Sequence, residues 1–151
     1  MTKRFKMEFD FWGLILFMII MVPNFIWFAV PAPNDILRME SVTPIVDGIG
    51  GVAQAVFVAA ICLVQRIDVE KLRFSKLIIA TLAMVVIYGV GWILYYLGIV
   101  NPGVVLLLTV PPCMAFLLFS LDRKNVIATV PVVIFTICHV IYVFVNYIIK
   151  Y

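Results

Sequence analysis

The chain has 151 residues, of which 66% are hydrophobic and only 13% are charged, and its mean hydropathy is +1.20. Soluble domains carry about 25% charged and about 45–50% apolar residues. A soluble chain of this length could not hide so much apolar surface in one core. The composition therefore excludes a soluble globular protein and favours one that lipid covers. The net charge of +3 is less informative than the positions of the charges.

Short polar breaks divide the chain into five apolar segments, at residues 11–30, 48–64, 77–100, 103–121 and 126–149. Each is close to the ~20 residues with which a helix crosses a ~30 Å hydrocarbon core. Alternating strand patterns are absent, and lipid does not tolerate open sheet edges. The sequence predicts one all-α transmembrane domain of five helices over residues 1–151. A re-entrant hairpin of the third and fourth segments, which are separated at Asn101-Pro102, remains an alternative.

The distribution of basic residues predicts the orientation. Placing the N-terminus in the cytoplasm leaves only Arg38 and Lys150 outside, and puts the other nine basic residues inside: Lys3, Arg4, Lys6, Arg66, Lys71, Arg73, Lys76, Arg123 and Lys124. Short cytoplasmic loops characteristically carry such an excess of Lys and Arg. We therefore predict a multi-pass protein of the cell membrane with a cytoplasmic N-terminus and an external C-terminus.

Several other classes of function find no support in the sequence. The first apolar segment is longer than the ~7–15 residues of a signal-peptide core, so we interpret it as a retained helix. Cys62, Cys113 and Cys138 form no Cys-x-x-Cys pair and are expected to be buried small hydrophobes. The single histidine has no carboxylate within one helical turn, which disfavours a metal site. No nucleic-acid motif or phosphate loop is present, and we predict no cofactor.

Polar side chains inside the apolar segments are the candidate functional residues, because they are costly in lipid. At ~1.5 Å per residue, Asn24, Gln54, Trp92 and His139 all fall at one depth, about a third of the way down from the outer face. With neighbours on the same helical faces they form the predicted ligand-binding set: Asn24, Trp27, Gln54, Tyr88, Trp92, Tyr95, His139 and Tyr142. The alternative is that these residues join helices by hydrogen bonds or belong to an aromatic belt.

Backbone-breaking residues are the other unusual feature. Pro111 and Pro112 lie mid-segment and predict a helix break that frees the carbonyls of Leu107 and Leu108, one of which Thr109 could satisfy. The run Gly48-x-Gly50-Gly51 predicts a close approach of another helix backbone.

Some stretches resemble a group of small multi-pass membrane proteins common in Gram-positive bacteria. The likeness rests on Pro23-Asn24-x-Ile26-Trp27, on Gly48-Ile49-Gly50, on Pro111-Pro112 and on His139-Val140-Ile141-Tyr142. It covers most of the chain and implies a helical membrane protein, but no activity carries over from it.

Three hypotheses of function follow. The first is a module that binds or transports a small neutral or lipid-like ligand in an outward-facing intramembrane pocket. The second is an accessory or scaffold subunit, with a homo-oligomer or a membrane partner. The third is an enzyme acting on lipid or quinone through His139 as base; it is the weakest, because no acid–base or nucleophile–base pair is visible and no catalytic residue can be assigned.

Overall fold

The computed structural model describes residues 4–69 and 73–149, so the predictions made for Lys3, Lys71 and Lys150 fall outside it. Within these ranges five helices are long and apolar enough to cross a membrane. They are α1 (Phe11–Ala29), α2 (Pro44–Leu63), α3 (Lys76–Tyr96), α4 (Pro102–Asp122) and α5 (Val126–Val143), the last continuing as a π-helical segment, Phe144–Ile148. The prediction of five apolar membrane-length helices is confirmed.

Local signals explain where α1 begins and ends. The Asp10 carboxylate caps the helix, since its Oδ1 accepts hydrogen bonds from the backbone N–H groups of Trp12 (3.0 Å) and Gly13 (3.3 Å). Such a cap satisfies amides that have no partner in the first turn. At the other end Val30 is extended, as expected for a residue that precedes a proline, Pro31.

Two helix boundaries differ from the expected ones. α2 begins at Pro44 rather than at residue 48, because a proline is well suited to the first helical position, where no N–H partner is needed. α3 ends at Tyr96 rather than at residue 100. There Gly98 has φ +80°, and the Ile99 N–H donates to the Leu94 carbonyl (3.1 Å). This is the hydrogen-bonding pattern of a Schellman C-cap, for which glycine is favoured.

The third and fourth segments are separate helices of 21 residues each, and each is long and apolar enough to cross a membrane. Asn101 caps α4 by accepting the Val104 N–H at 2.9 Å, and Pro102 occupies its first position. The turn between α3 and α4 is therefore built from a C-cap followed at once by an N-cap.

A short β-ribbon lies outside the helices and was not expected from the sequence. β1 (Phe5–Met7) pairs antiparallel with β2 (Val64–Arg66), with Lys6 opposite Gln65. The segment before α1 is thereby fastened to the end of α2. Three-residue strands show no detectable alternation, which is why sequence periodicity misses them.

α4 is the central helix of the bundle. In the most apolar 18-residue stretch of α4, 61% of the residues are buried, whereas the corresponding share in the other helices is 17–33%. It packs against α3 and α5, α2 packs along α5, and α1 makes the sparsest contacts. Phe57 of α2, only 1% exposed, has its ring centroid 4.9 Å from that of Phe116 (α4) and 5.2 Å from that of Phe135 (α5). These aromatic rings hold three helices together.

The two prolines of α4 lie inside one continuous helix and are buried. The expected role of Thr109 is wrong, because its hydroxyl donates to the carbonyl of Val105 (2.8 Å) and not to a freed carbonyl. Instead α3 approaches this region closely: a Cβ built on Gly91 would lie 2.9 Å from Leu107 Cβ and 3.3 Å from the Leu107 oxygen. The predicted helix break at Pro111 and Pro112 is therefore wrong: α4 continues through both prolines, and Gly91 lets α3 lie close to Leu107, one turn before them.

The glycines that open α2 play a smaller part than expected. A Cβ on Gly50 would lie 3.3 Å from Cys138 Cβ of α5, whereas Gly48 and Gly51 face open space. Only one of the three glycines therefore allows a close approach of α5.

Candidate functional site

The predicted ligand-binding residues lie in two separate groups. Five belong to α1 and α3, namely Asn24, Trp27, Tyr88, Trp92 and Tyr95, and three belong to α2 and α5, namely Gln54, His139 and Tyr142. Gln54, His139 and Tyr142 line one cavity, and the lining of that cavity includes none of the α1 and α3 residues. Equal depth along the helices therefore did not bring all eight residues into one site.

The α1–α3 group forms hydrogen bonds within the protein. Asn24 Nδ2 donates to the hydroxyl of Tyr88 (2.8 Å) and to the carbonyl of Ile20 (3.0 Å). The Trp92 ring stands edge-on to Tyr88 and to Tyr95 at centroid distances of 6.3 and 5.8 Å. Its indole N–H is buried without an acceptor among the described residues.

Asp35, in the loop between α1 and α2, forms hydrogen bonds with the two remaining members of this group, Trp27 and Tyr95. Its carboxylate accepts hydrogen bonds from Trp27 Nε1 (2.8 Å), Tyr95 OH (2.9 Å) and Arg38 Nε (2.8 Å). Burial on its own would raise the pKa of Asp35, but these donors hold the pKa below its ordinary value of 3.8. The guanidinium of Arg38 also lies 4.7 Å from the Trp27 ring centroid. The network ties the loop to α1 and α3.

The α2–α5 group lines a cavity of about 240 Å³. His139 is stacked in a row of rings, with Phe135 at 5.0 Å on one side and Tyr142 at 6.2 Å on the other. Gly50 and Gly51 form part of the opposite wall, and Gln54 and Asp47 supply polar groups. The cavity thus combines flat aromatic surface with a few converging hydrogen-bonding groups, as small-molecule sites do.

The polar groups of this cavity differ in how far the protein already satisfies them. The Tyr142 hydroxyl lies 2.6 Å from that of Tyr147, and Asp47 accepts from the Thr43 hydroxyl at 3.0 Å. Neither the Gln54 amide nor the His139 imidazole hydrogen-bonds to another group in the part of the chain that is described. Both side chains are half-buried rather than sealed in, so they are open to an external partner.

Asn146 stabilises the same end of the bundle. Its side-chain oxygen accepts the Val42 N–H (2.8 Å), and its Nδ2 donates to the Thr43 hydroxyl (2.9 Å) and to the Tyr142 carbonyl (2.8 Å). The loop before α2 is thereby held against the π-helical segment after α5, beside the Tyr142 wall of the cavity.

A buried ion pair lies at the other end of the bundle. Asp10 Oδ2 accepts a hydrogen bond from Arg123 Nε at 2.9 Å and lies 2.8 Å from Nη2 of the same guanidinium. The two side chains are only 4% and 8% exposed. Arg123, which follows the last residue of α4, is therefore largely removed from water, and this end of the bundle contains a buried ion pair.

A second, larger cavity of about 730 Å³ includes this ion pair in its lining. The rest of the lining comes mainly from α1, the start of α3 and the end of α4, with the residues just before α1 and α3. Among its described residues only Gln65 and Thr81 are polar, and its apolar members are Phe9, Phe11, Trp12, Ile15, Leu16, Ile19, Phe74, Ile78, Leu82, Val85 and Phe119. We call this cavity the α1–α3 groove. Sequence analysis missed it, because no periodicity reveals which helices leave a gap between them.

Comparison with known protein families, with curated proteins and with solved structures gives no match.

Proposed function

We propose that the protein is a membrane-embedded module that binds, or moves, a small neutral or lipid-like ligand in the cavity between α2 and α5. The strongest support is that two polar side chains, Gln54 and His139, face one cavity without a hydrogen-bond partner in the described part of the chain. Each lines the same cavity, and neither is used by a hydrogen bond to another described residue. Polar groups inside a bundle that serve only packing are expected to bond to each other, as Asn24 and Tyr88 do.

The lining indicates the chemistry of the ligand. An amide both donates and accepts hydrogen bonds, as does a neutral imidazole, while the Asp47 carboxylate accepts them. Phe135 and Tyr142 supply ring surface on either side of His139. About 240 Å³ is below the ~300–1,000 Å³ of pockets for drug-sized molecules. We therefore infer a small hydroxylated molecule or the uncharged headgroup of a lipid.

The test of the pocket compares two polar-to-apolar variants. The probes are free glycerol and a monoacylglycerol, with the melting temperature of the purified protein as readout. A ligand that binds only the folded state raises the melting temperature by an amount that grows with the ligand concentration. We expect Gln54→Leu to remain folded and to lose the shift.

The matched control is Asn24→Leu, because Asn24 lies outside this cavity and bonds to Tyr88. This variant is expected to melt at a lower temperature and to keep the full shift. Equal loss of the shift in both variants, or no shift in the parent protein with either probe, would contradict the pocket.

We further propose that the protein lies in the cell membrane with its N-terminus in the cytoplasm. The support is the charge distribution: seven of the eight described basic residues, all but Arg38, lie near the start of α1, the α2–α3 connection or the α4–α5 turn, namely Arg4, Lys6, Arg66, Arg73, Lys76, Arg123 and Lys124. We call this the basic end. Basic ends of membrane helices favour the cytoplasmic side.

Cys138 offers a test of this orientation. It lines the α2–α5 cavity and is partly exposed, whereas Cys62 and Cys113 are buried. We expect a charged, impermeant thiol reagent to label Cys138 on intact cells, and Cys138→Ala to lose the label. Labelling that requires permeabilised cells would reverse the proposed orientation.

A further inference from the structure

The α1–α3 groove contains a polar feature that the fold does not use. Arg123 Nη1 is buried and has no hydrogen-bond acceptor among the described residues, although Nε of the same guanidinium donates to Asp10 Oδ2 and Nη2 lies 2.8 Å from it. Asp10 cannot supply a further acceptor easily, because its Oδ1 already caps α1. A buried charged donor without an acceptor costs more free energy than a neutral one, so an acceptor from outside the protein is expected.

The groove below this arginine is apolar. Its lining runs along α1 from Phe11 to Ile19, and from Phe74, just before α3, to Val85 within α3. From Asp10 to Ile19 a helix advances about 14 Å, which is close to half of a ~30 Å hydrocarbon core. The groove is therefore about as deep as one leaflet, with the buried arginine at its headgroup end.

The mouth of the groove has the composition of a membrane interface. Phe11, Trp12 and Phe74 are all exposed, Phe74 by 80%, and line the groove. Aromatic side chains of this kind concentrate at headgroup level. Arg73 and Lys76, which are neighbours of Phe74 in the chain, are also exposed, and clustered Lys and Arg next to a membrane attract anionic lipids.

We propose that the α1–α3 groove binds one anionic phospholipid from the leaflet at the basic end. Its acyl chain occupies the apolar lining between α1 and α3, and a phosphate oxygen of its headgroup accepts hydrogen bonds from Arg123. Phosphate is a preferred partner of a guanidinium because its oxygens match the spacing of the N–H groups. This site is at the opposite end of the bundle from the α2–α5 cavity, and the proposal does not depend on that cavity.

The experiment uses the whole protein in phosphatidylcholine nanodiscs to which phosphatidylglycerol is added in steps. Bound lipid is counted by native mass spectrometry after gentle release, and the melting temperature is recorded in parallel. We expect retention of one phosphatidylglycerol and a melting temperature that rises with its mole fraction. Equal retention of both lipids, or an unchanged melting temperature, would overturn the proposal.

Two substitutions on one face of α3 distinguish a lipid bound in the groove from lipid bound elsewhere on the outer surface of the bundle. Leu82 lines the groove, whereas Val86, one turn later, does not. Both are exposed, by 48% and 66%, so a larger side chain should not disturb folding at either position. We expect Leu82→Trp to abolish retention of phosphatidylglycerol and Val86→Trp to keep it. The same retention in both variants would show that the lipid is not in the groove.

The role of the guanidinium is tested by Arg123→Lys. A lysine can still pair with Asp10 but lacks the fork of N–H groups, so we expect loss of the preference for phosphatidylglycerol over phosphatidylcholine. Inorganic phosphate added to nanodiscs of phosphatidylcholine alone is a further arm. If free phosphate raised the melting temperature as much as phosphatidylglycerol does, the proposal of a bound lipid would be wrong. Arg123 would then bind a small anion of headgroup size.

Discussion

Asp10→Asn is expected to lower the free energy of unfolding by about 3 kcal/mol, as is typical when one member of a buried ion pair is removed. Asparagine is as good a helix cap as aspartate, so the N–H groups of Trp12 and Gly13 keep their acceptor. What is lost is the negative charge that faces Arg123 at 2.8–2.9 Å. Reversible unfolding in detergent would measure the change.

The control for this prediction is the double variant Asp10→Asn, Arg123→Met. Replacing both members of a buried pair is often nearly neutral, because no isolated charge remains in the interior. We expect the double variant to regain most of the stability that the single variant loses. A single-variant loss below about 1 kcal/mol, the value for exposed pairs, would show that the pair is hydrated and not buried.

Gly13→Ala is expected to destabilise the contact between α1 and α2. A Cβ at this position would lie 2.6 Å from both the Cγ2 and the backbone oxygen of Ile61. The backbone of α2 cannot move aside locally, and overpacking of this kind costs about 1–3 kcal/mol. That cost exceeds the ~1 kcal/mol by which alanine usually favours a helix over glycine. We expect a clearly lower melting temperature.

Gly89→Ala provides the matched comparison, since Gly89 is also inside a helix and a Cβ there meets no atom within 4 Å. This variant should be as stable as the parent or more stable by up to about 1 kcal/mol. If Gly13→Ala behaves like Gly89→Ala, then α1 does not approach α2 as closely as described. Because α1 has the fewest contacts with the bundle, its position is the part of the fold that depends most on this single glycine.

Local chemistry made most of the helices predictable. The apolar length of each segment, the aspartate before α1 and the Asn101-Pro102 pair before α4 act within a few residues, so the sequence alone displays them. The start of α2 at Pro44 and the end of α3 before Gly98 were also encoded locally, in a proline and a left-handed glycine. The start of α2 was missed because Asp47 interrupts the apolar run, and the end of α3 was missed because apolar residues continue beyond it.

The candidate site was predictable only in part. Distance along a helix axis follows from residue number, and so the depth of Gln54 and His139 could be calculated. Which helix a side chain faces depends on which helices are neighbours. Because α2 packs against α5 while Asn24 of α1 bonds to Tyr88 of α3, the residues predicted at one depth fall into two groups. Asn24 and Tyr88 then satisfied each other, while Gln54 and His139 came to line a cavity.

The sequence by itself determined the class of the protein, because composition and segment length depend on no contact between helices. Five apolar helices and a basic end follow from residue order alone. The tertiary structure decided where charge could be buried and where space remained. Asp10 and Arg123 are 113 positions apart, and nothing in either local sequence marks the other as its partner. Only the packing of α1 against the end of α4 removes both from water, and the resulting gap between α1 and α3 forms the groove beside them.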